Sequence, residues 1–175
     1  MIITTQRLKI IPMSFEYLND LHKLLSDREL TKFMVFNPKE SIEETKAQIQ
    51  ESIDESSKEH PAFSDFAVLS GETFVGDLAL YFFEGDHDAA EFSWVISPEH
   101  AKKGYAFEAA KGIMEYYHKH KGITRFIAQC DSENTPSIRL IEKLGLKLIN
   151  ANGTRFNRSA PGVERTEYTY ELIIR

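Results

Sequence analysis

The stretch that most constrains the fold of this chain covers residues 90–110, AEFSWVISPEHAKKGYAFEAA. Residues 90–96 are rich in apolar, aromatic and β-branched side chains, which favours a β-strand, and a Ser-Pro pair ends that strand. A polar loop with two lysines and Gly104 follows, and a helix begins near Tyr105. Backbone N–H groups at a helix N-terminus lack intrahelical partners and lie at the positive end of the helix dipole, so this layout is suited to binding phosphates. The alternative is an ordinary surface loop between a strand and a helix.

A length of 175 residues with 42% hydrophobic content is enough for one buried core, so we expect a single domain over residues 1–175. The single cysteine, Cys130, excludes an intramolecular disulfide and a cysteine-rich zinc site. It closes a predicted buried strand, and we interpret it as a core residue rather than a nucleophile. No apolar run approaches the ~18 residues of a membrane-spanning helix, and the first residues do not resemble a secretory leader. We therefore expect a cytoplasmic protein without a metal centre.

Charge is distributed unevenly along the chain. The net charge of −6 argues against nucleic-acid binding, which depends on clustered lysine and arginine. Residues 40–99 carry 2 basic side chains against 15 acidic ones, whereas residues 101–147 carry 9 basic against 5 acidic. The first stretch favours a cationic ligand and the second an anionic one. A solvated acidic helix beside an ordinary basic helix is the alternative.

Hydrophobic periodicity and turn residues predict the remaining elements. Strands are predicted over Arg7–Ile11, Phe66–Leu69, Thr73–Phe83, Ala90–Ile96, Arg125–Cys130, Lys147–Ile149 and Tyr168–Ile174. Helices are predicted from Ser14, from Ser41 to about Lys58, from Tyr105 to Lys119, and around Pro136 up to Gly145. The three successive strands from Phe66 to Ile96 are joined by turns and predict an antiparallel meander, and the part after them is βαβ-like. A polar turn is expected over residues 84–89, and a mobile polar segment over residues 150–165.

Residues 130–146, CDSENTPSIRLIEKLGL, form a second informative stretch. Together with residues 90–110 and the opening TTQRLKIIPMSFEYLNDLHKLLSDRELTKFM, it resembles the GNAT superfamily of acetyl-coenzyme A-dependent N-acetyltransferases. The resemblance is closer to the branch of ribosomal-protein N-terminal acetyltransferases and their small-molecule-modifying relatives. It spans most of the chain and implies an α/β (α+β) fold: a mixed, mostly antiparallel twisted sheet of about seven strands flanked by helices. It also implies that acetyl-CoA lies between two central strands that splay apart.

The family's pyrophosphate motif falls on residues 101–106 of this chain. Gly104 and Ala106 fit the motif, while Ala101 departs from its usual glutamine or arginine. The resemblance implies that the backbone amides of Gly104, Tyr105 and Ala106 bind the pyrophosphate, where small residues allow close approach. The candidates for the outer phosphates are Lys102, Lys103, Arg139 and Lys143. Each of these four side chains is alternatively an ordinary solvated charge.

Two further groups are implied to hold the pantetheine arm. The main chain of Val95 and Ile96 matches the strand positions that pair with pantetheine, and their N–H groups are candidate oxyanion donors for the thioester carbonyl. Asn134 matches the asparagine that hydrogen-bonds pantetheine in the family. Its alternative role is an N-cap for the helix that begins beside it, since asparagine is a favoured capping residue.

The residue that donates a proton to the departing thiolate in many family members is not present in this chain. Many family members use a tyrosine in the helix of residues 130–146, and Ile141 occupies that position here. Ser137 lies four residues earlier, hence on the same helix face, and corresponds to a serine proposed for this role in the ribosomal-protein branch. The alternative is that Ser137 only hydrogen-bonds the cofactor or caps the helix.

Glu91 is the candidate for the base that deprotonates the acceptor amine. Strand alternation places Glu91, Ser93 and Val95 on one face. A carboxylate has an ordinary pKa near 4, so burial must raise it, or Glu91 only binds a cationic amine. The acidic turn at residues 84–88, with His87, either steers a cationic acceptor towards the site or is a solvated hairpin tip.

These residues together predict an N-acetyltransferase that passes an acetyl group from acetyl-CoA directly to a primary amine in a ternary complex. The first expected acceptor is a peptide or protein N-terminus, and the second is a small polycationic amine. The alternative function is a catalytically silent CoA-binding sensor or scaffold, which Ile141 and Ala101 suggest. A third is an interaction module without a ligand, acting through residues 150–165 and the acidic helix.

Overall fold

The computed structural model of the chain describes residues 1–156 and 162–175. The strands are β1 (Ile3–Thr4), β2 (Lys9–Pro12), β3 (Phe63–Ser70), β4 (Thr73–Phe83), β5 (Asp86–Ile96), β6 (Arg125–Asp131), β7 (Lys147–Phe156) and β8 (Glu164–Ile173). The helices are α1 (Leu18–Leu25), α2 (Arg28–Thr31), α3 (Ile42–Ser56), α4 (Tyr105–Lys121) and α5 (Thr135–Lys143). The strands form one sheet in the order β1-β2-β3-β4-β5-β6-β8-β7, and β5 and β6 are parallel while the other neighbours are antiparallel. The predicted α/β fold, the meander of β3 to β5 and the two helices after it are confirmed, with eight strands instead of about seven.

Each face of the sheet packs against its own helices. Alternate residues of β3 to β6, such as Phe66, Phe92 and Phe126, bury their side chains against α4 and α5. The opposite face of β3, with Ala67, packs against Leu21 of α1 and its neighbours on α3. We call these the α4 face and the α3 face of the sheet. Cys130 lies in the core of the α4 face, 4% exposed, as predicted for a core residue.

β5 begins earlier than the sequence predicts. The predicted polar turn over residues 84–89 is wrong, because the turn consists of Glu84 and Gly85, and β5 begins at Asp86. Gly85 has a φ of +77°, which allows the tight connection between two strands. An ion pair between Asp86 and Arg125 of β6 then extends the strand, although the segment is polar.

The expected mobile segment over residues 150–165 is also wrong where the structure describes it. β7 continues to Phe156 and β8 begins at Glu164, so most of the segment lies in an antiparallel ladder, and residues 157–161 fall outside the described residues. β7 is an edge strand whose residues alternate between exposed and half-buried over 150–156. Polar side chains suit such a strand, because ladder hydrogen bonds do not require apolar side chains.

Short N-terminal elements complete the fold. The predicted first strand over residues 7–11 is displaced to β2, and the additional β1 pairs with it. The predicted helix from Ser14 is a turn of 3-10 helix that leads into α1. None of the helices within residues 1–156 and 162–175 is long and apolar enough to cross a membrane.

Candidate active site

A fork between β5 and β6 is the central feature of the site. The two parallel strands pair over three positions only, from Ala89 opposite Arg125 to Glu91 opposite Ile127. β5 continues to Ile96, fully paired with β4, so the β6-facing edge of its last five residues is unpaired with β6. Main-chain N–H and C=O groups in this part of β5 are therefore open to a ligand inserted between the strands.

The register identifies which main-chain groups point into the fork. The N–H of Ser97 donates to the carbonyl oxygen of Val75 at 2.9 Å, on the β4 side. Because main-chain groups alternate sides along a strand, Val95 also directs its N–H to β4, where it pairs with Asp77. The N–H groups of Trp94 and Ile96 point into the fork. Trp94 was missed by sequence reasoning, since the direction of an N–H depends on the pairing register with β4.

The loop before α4 contains two residues in the left-handed backbone region and leads into an uncapped helix N-terminus. Gly104 has a φ of +82° and Lys102 a φ of +60°, both in the left-handed region that disfavours residues with a Cβ atom. No side chain caps α4 at its N-terminus, and the first intrahelical bond runs from the N–H of Glu108 to the carbonyl of Gly104. The amides of the first turn, including Tyr105 and Ala106, thus lack intrahelical partners.

An arginine from the other end of the chain fixes this loop. Arg7 donates from its backbone N–H and its Nε to the two carboxylate oxygens of Glu108 at 2.7 and 2.6 Å, and from Nη1 to the carbonyl of Lys103 at 2.9 Å. Its guanidinium also lies 4.9 Å from the ring centre of Tyr105. Burial acts to raise the pKa of Glu108, but the hydrogen bonds from Thr5 and Arg7 lower it below its usual value. Glu108 is therefore a carboxylate that links the N-terminal segment to the first turn of α4.

Replacing Arg7 by alanine is expected to weaken acetyl-CoA binding about tenfold and to leave kcat nearly unchanged. The substitution releases the carbonyl of Lys103 and one face of Tyr105, so the loop loses its fixed conformation before the ligand binds. The KM for acetyl-CoA and the Kd from calorimetry both report this change. Arg28→Ala, at an exposed arginine of α2, is the matched control and should change neither. An unaltered Kd in Arg7→Ala would show that Arg7 does not organise the loop.

The predicted cationic side chains lie in the loop before α4 and on α5. Lys102, Lys103, Arg139 and Lys143 are all exposed. Lys143, near the end of α5, lies 4.5 Å from the ring centre of Phe107 in the first turn of α4, so the two helices are close at that point. The Nζ of Lys103 lies 3.3 Å from the Nδ1 of His100.

The start of α5 lies just beyond the end of β6. The side-chain oxygen of Asn134 accepts the N–H of Ser137 at 3.4 Å, so Asn134 caps the helix, which is the alternative role that the sequence leaves open. Ser137 is half-buried, and Ile141, one turn later, is fully buried in the core of the α4 face. On this face of α5, the Ser137 hydroxyl is therefore a polar group one turn before the buried Ile141.

Glu91 lies where the fork opens, half-buried on the α3 face. Burial raises the pKa of this carboxyl, the negative charge of Glu167 raises it further, and Arg155 opposes the shift. Arg155 donates to Glu167 at 2.6 Å, and its other nitrogens donate to the carbonyl of Phe33 at 3.2 and 3.1 Å. This arginine ties the loop after α2 to β7 beside Glu91. Sequence reasoning missed it, because the loop and β7 are more than 100 residues apart.

No group of three or more histidine, cysteine, aspartate or glutamate side chains suited to a metal ion occurs in the part of the chain that the structure describes. The candidate reactive groups are the main-chain donors of β5 in the fork, the Glu91 carboxyl with its raised pKa, and the Ser137 hydroxyl in the first turn of α5. Such a set suits transfer of an acyl group between a thioester and an amine, which requires a base, oxyanion donors and a proton for the leaving group.

Comparisons with known proteins agree with this geometry. Residues 7–147 match the family model described as an acetyltransferase (GNAT) domain. The chain is 31% identical to the N-acetyltransferase YnaD of Bacillus subtilis (strain 168), over 83% of this chain and 82% of YnaD. It is 27% identical to the spermidine N(1)-acetyltransferase of Escherichia coli (strain K12), over 80% of this chain and 73% of that protein.

A solved structure has the same fold at low sequence identity. The acetyltransferase from Salmonella typhimurium that modifies the N-terminal serine of ribosomal protein L7/L12 superposes with a TM-score of 0.87. The superposition covers 100% of both chains, and the sequences are 18% identical.

Proposed function

The chain belongs to the GNAT acetyltransferase family, and we propose that it transfers the acetyl group of acetyl-CoA directly to a primary amine. The chain is an acyltransferase, and the open edge of β5 beside the phosphate-type loop is the observation that supports acetyl-CoA as the donor. In this proposal the pantetheine arm lies in the fork, and the pyrophosphate lies against the amides of Gly104, Tyr105 and Ala106.

Main-chain donors in the fork would hold the thioester. We assign the N–H groups of Trp94 and Ile96 to the pantetheine arm and the thioester carbonyl, replacing Val95, whose N–H is directed to β4. Asn134 caps α5 through its side-chain oxygen, and the nitrogen of the same amide would donate to pantetheine. The exposed cations Lys102, Lys103, Arg139 and Lys143 would screen the outer phosphates.

The reaction requires Glu91 and Ser137 in separate roles. Glu91 takes a proton from the incoming ammonium group, directly or through a water molecule, and the free nitrogen attacks the thioester carbonyl. The new C–N bond forms, the C–S bond breaks, and the negative charge on the carbonyl oxygen is stabilised by main-chain N–H groups while the intermediate lasts. Ser137 donates the proton to the departing thiolate, the role that Ile141 cannot fill.

The acceptor follows from the charge of the α3 face. Asp65, Asp77, Glu91 and Glu167 all lie on that face, which favours an amine acceptor carrying positive charge. The likeness to spermidine N(1)-acetyltransferase supports a small polycationic amine, and the likeness to the ribosomal-protein acetyltransferase supports the fold alone. We therefore place the small polycationic amine ahead of a protein N-terminus.

A panel of peptide N-termini and small amines, followed by release of free CoA thiol, tests the proposal. Amine-dependent thiol release supports it. If acetyl-CoA raises the melting temperature while no acceptor in the panel releases thiol, the catalytically silent CoA-binding sensor or scaffold replaces it. No stabilisation by acetyl-CoA would instead favour an interaction module without this ligand.

Direct transfer to the amine means that no acetylated form of the protein occurs during the reaction. With acetyl-CoA labelled in the acetyl group and no amine present, the protein should acquire no covalent label. Its one thiol, that of Cys130, is buried in the core and cannot attack the thioester. Burial raises the pKa of its thiol to about 11, so the thiolate is scarce at neutral pH. Intact-protein mass spectrometry during turnover measures this, and an acetylated protein that passes its label to the amine would contradict direct transfer.

A further inference from the structure

A buried aspartate on β4 has an unsatisfied carboxylate oxygen. Asp77 is 8% exposed, and its Oδ1 has no hydrogen-bond partner within residues 1–156 and 162–175. Leaving a buried polar atom unpaired is costly, so a carboxyl retained in this state calls for a specific reason. The residue lies on the α3 face, since its partner on β3 is Ala67, which packs against α1 and α3.

A second buried carboxyl lies beside it. Asp65 is also 8% exposed, and because it pairs with Ala79, two residues from Asp77, the two side chains are diagonal neighbours on one face. Diagonal neighbours lie about 7–8 Å apart between Cα atoms. Asp65 interacts with the hydroxyl of Ser52 on α3.

Negative charge at this pair is not compensated by the protein. Burial raises the pKa of Asp65 to about 6, and burial together with the charge of Asp65 raises the pKa of Asp77 well above its usual value. The remaining charged group that acts on Asp65 is Glu51, which is also negative. Neither aspartate forms an ion pair in the part of the chain that the structure describes.

Asp65 is reachable from solvent. A groove of about 1010 Å³ at the end of the sheet where β4 turns into β5 is lined by Asp65 and Ser52. Further acidic residues line the same groove: Glu55, Glu59, Glu84 and Asp86. Lys58, which pairs with Glu55, and Lys121 also line the groove, but acidic side chains outnumber them, so a cation that enters meets net negative charge on its way to Asp65.

We propose that Asp65 and Asp77 form a subsite for a second cationic group of the acceptor amine. Asp77 pairs with Val95 of β5, between the two residues whose N–H groups point into the fork. Asp77 is one strand spacing from β5. Asp65 is two strand spacings away, because Ala79 lies between it and Ser93, so the two aspartates lie about 5–10 Å from β5. The acceptor is therefore a primary amine whose second ammonium or guanidinium group lies at about that separation. This subsite rests on the proposed function, since it deepens the assignment of the acceptor.

Two small side chains and the hydroxyl of Tyr81, which hydrogen-bonds Ser93, separate the aspartates from the fork. Ala79 and Ser93 are small and lie between the aspartates and the open end of β5. Tyr81 pairs with Glu91, and burial and the negative charge of Asp65 raise the pKa of its hydroxyl to about 12. It remains a protonated donor at neutral pH, and the charges of Asp77 and Glu91 also act on it, so the aspartate pair and Glu91 share one negative field.

The test compares 1,4-diaminobutane with 1-aminobutane, which differ in the second ammonium group. The wild-type protein should use the diamine with a kcat/KM at least about tenfold higher, because the monoamine leaves the aspartates unpaired. Asp77→Asn and Asp65→Asn should remove this preference by lowering kcat/KM for the diamine to about the value for 1-aminobutane in the same variant. Glu115→Gln, which removes an exposed carboxylate from α4, is the matched control and should keep the preference.

A binding measurement separates failure of the subsite from failure of the proposed function. 1,4-Diaminobutane should raise the melting temperature of the wild-type protein and of Glu115→Gln, but not of Asp77→Asn, whether or not turnover occurs. Turnover of both amines with equal kcat/KM would overturn the subsite and leave the acetyltransferase proposal standing. No turnover, with stabilisation by the diamine that depends on Asp77, would support the subsite and contradict the proposed function.

Unfolding does not explain a loss of preference in Asp77→Asn. The substitution replaces a buried carboxyl whose Oδ1 is unpaired, and whose charged form burial disfavours, by a neutral amide, so the variant should melt at or above the wild-type temperature at pH 8. A lower melting temperature of Asp77→Asn would mean that Asp77 stabilises the fold. That result would overturn its assignment as a binding group that lowers the stability of the free protein.

Discussion

Replacing Glu91 by glutamine is expected to lower kcat for amine acetylation at pH 7.5 by about 10²-fold or more, the usual contribution of a positioned general base. Glutamine keeps the size of the side chain and its place at the opening of the fork, but it cannot accept a proton. Steady-state kinetics at saturating acetyl-CoA measure the loss. Glu171→Gln removes another carboxylate on the same face, one that pairs with Arg125, and should keep most of the activity.

The pH profile distinguishes a base from a group that only binds the acceptor. The pKa of Glu91 is raised by burial and by Glu167, so the wild-type rate should fall as the pH drops through that raised value, where the carboxylate becomes protonated. Glu91→Gln should lose this acid limb and gain activity steadily towards pH 10, where alkylamines become neutral without help. A variant with unchanged kcat and a raised KM would mean that Glu91 binds the amine and does not deprotonate it.

Replacing Gly104 by aspartate should weaken acetyl-CoA binding by at least about 100-fold. At φ +82° any residue with a Cβ atom is strained, and the added carboxylate stands at the helix N-terminus assigned to the pyrophosphate. Like charges about 4 Å apart near a protein surface repel by about 4 kcal/mol, more than the factor of 100 requires. Calorimetric titration with acetyl-CoA measures the Kd.

Gly104→Asn is the matched control for this variant. Asparagine has nearly the same shape, tolerates the left-handed conformation better than most residues, and carries no charge. The Kd of Gly104→Asn should therefore lie between those of the wild type and Gly104→Asp. Equal affinities for all three proteins would place the phosphate site elsewhere, and equal losses in both variants would assign the effect to backbone strain.

Features predicted from the sequence are those specified by local residues. The start of α4 after Gly104 and the end of β5 before Pro98 both follow from glycine, proline and the apolar pattern beside them. Glu91 was placed correctly on the face opposite Phe92, because strand alternation needs only the strand itself. The length of β7 was underestimated, since pairing with β8 determines how far a polar edge strand extends.

Features that the sequence did not predict depend on contacts between distant segments. The role of Arg7 requires the N-terminal segment to lie against α4, about 100 residues later. The choice of Trp94 instead of Val95 follows from the register between β4 and β5. In the sequence Asp77 is one of 15 acidic residues between positions 40 and 99, and only the structure shows that it is buried with its Oδ1 unpaired. Each of these contacts lies beyond the range of a local pattern.

Product analysis in a closed reaction tests the central claim most directly. The wild-type protein, acetyl-CoA and 1,4-diaminobutane are mixed, and CoA, acetylated amine, free acetate and the intact protein are quantified by mass spectrometry. Direct transfer predicts one monoacetylated amine for each CoA released, with no acetylated protein and no excess acetate. Consumption of acetyl-CoA that yields only acetate and CoA, or no consumption with any amine, would contradict an acetyltransferase built on the fork between β5 and β6.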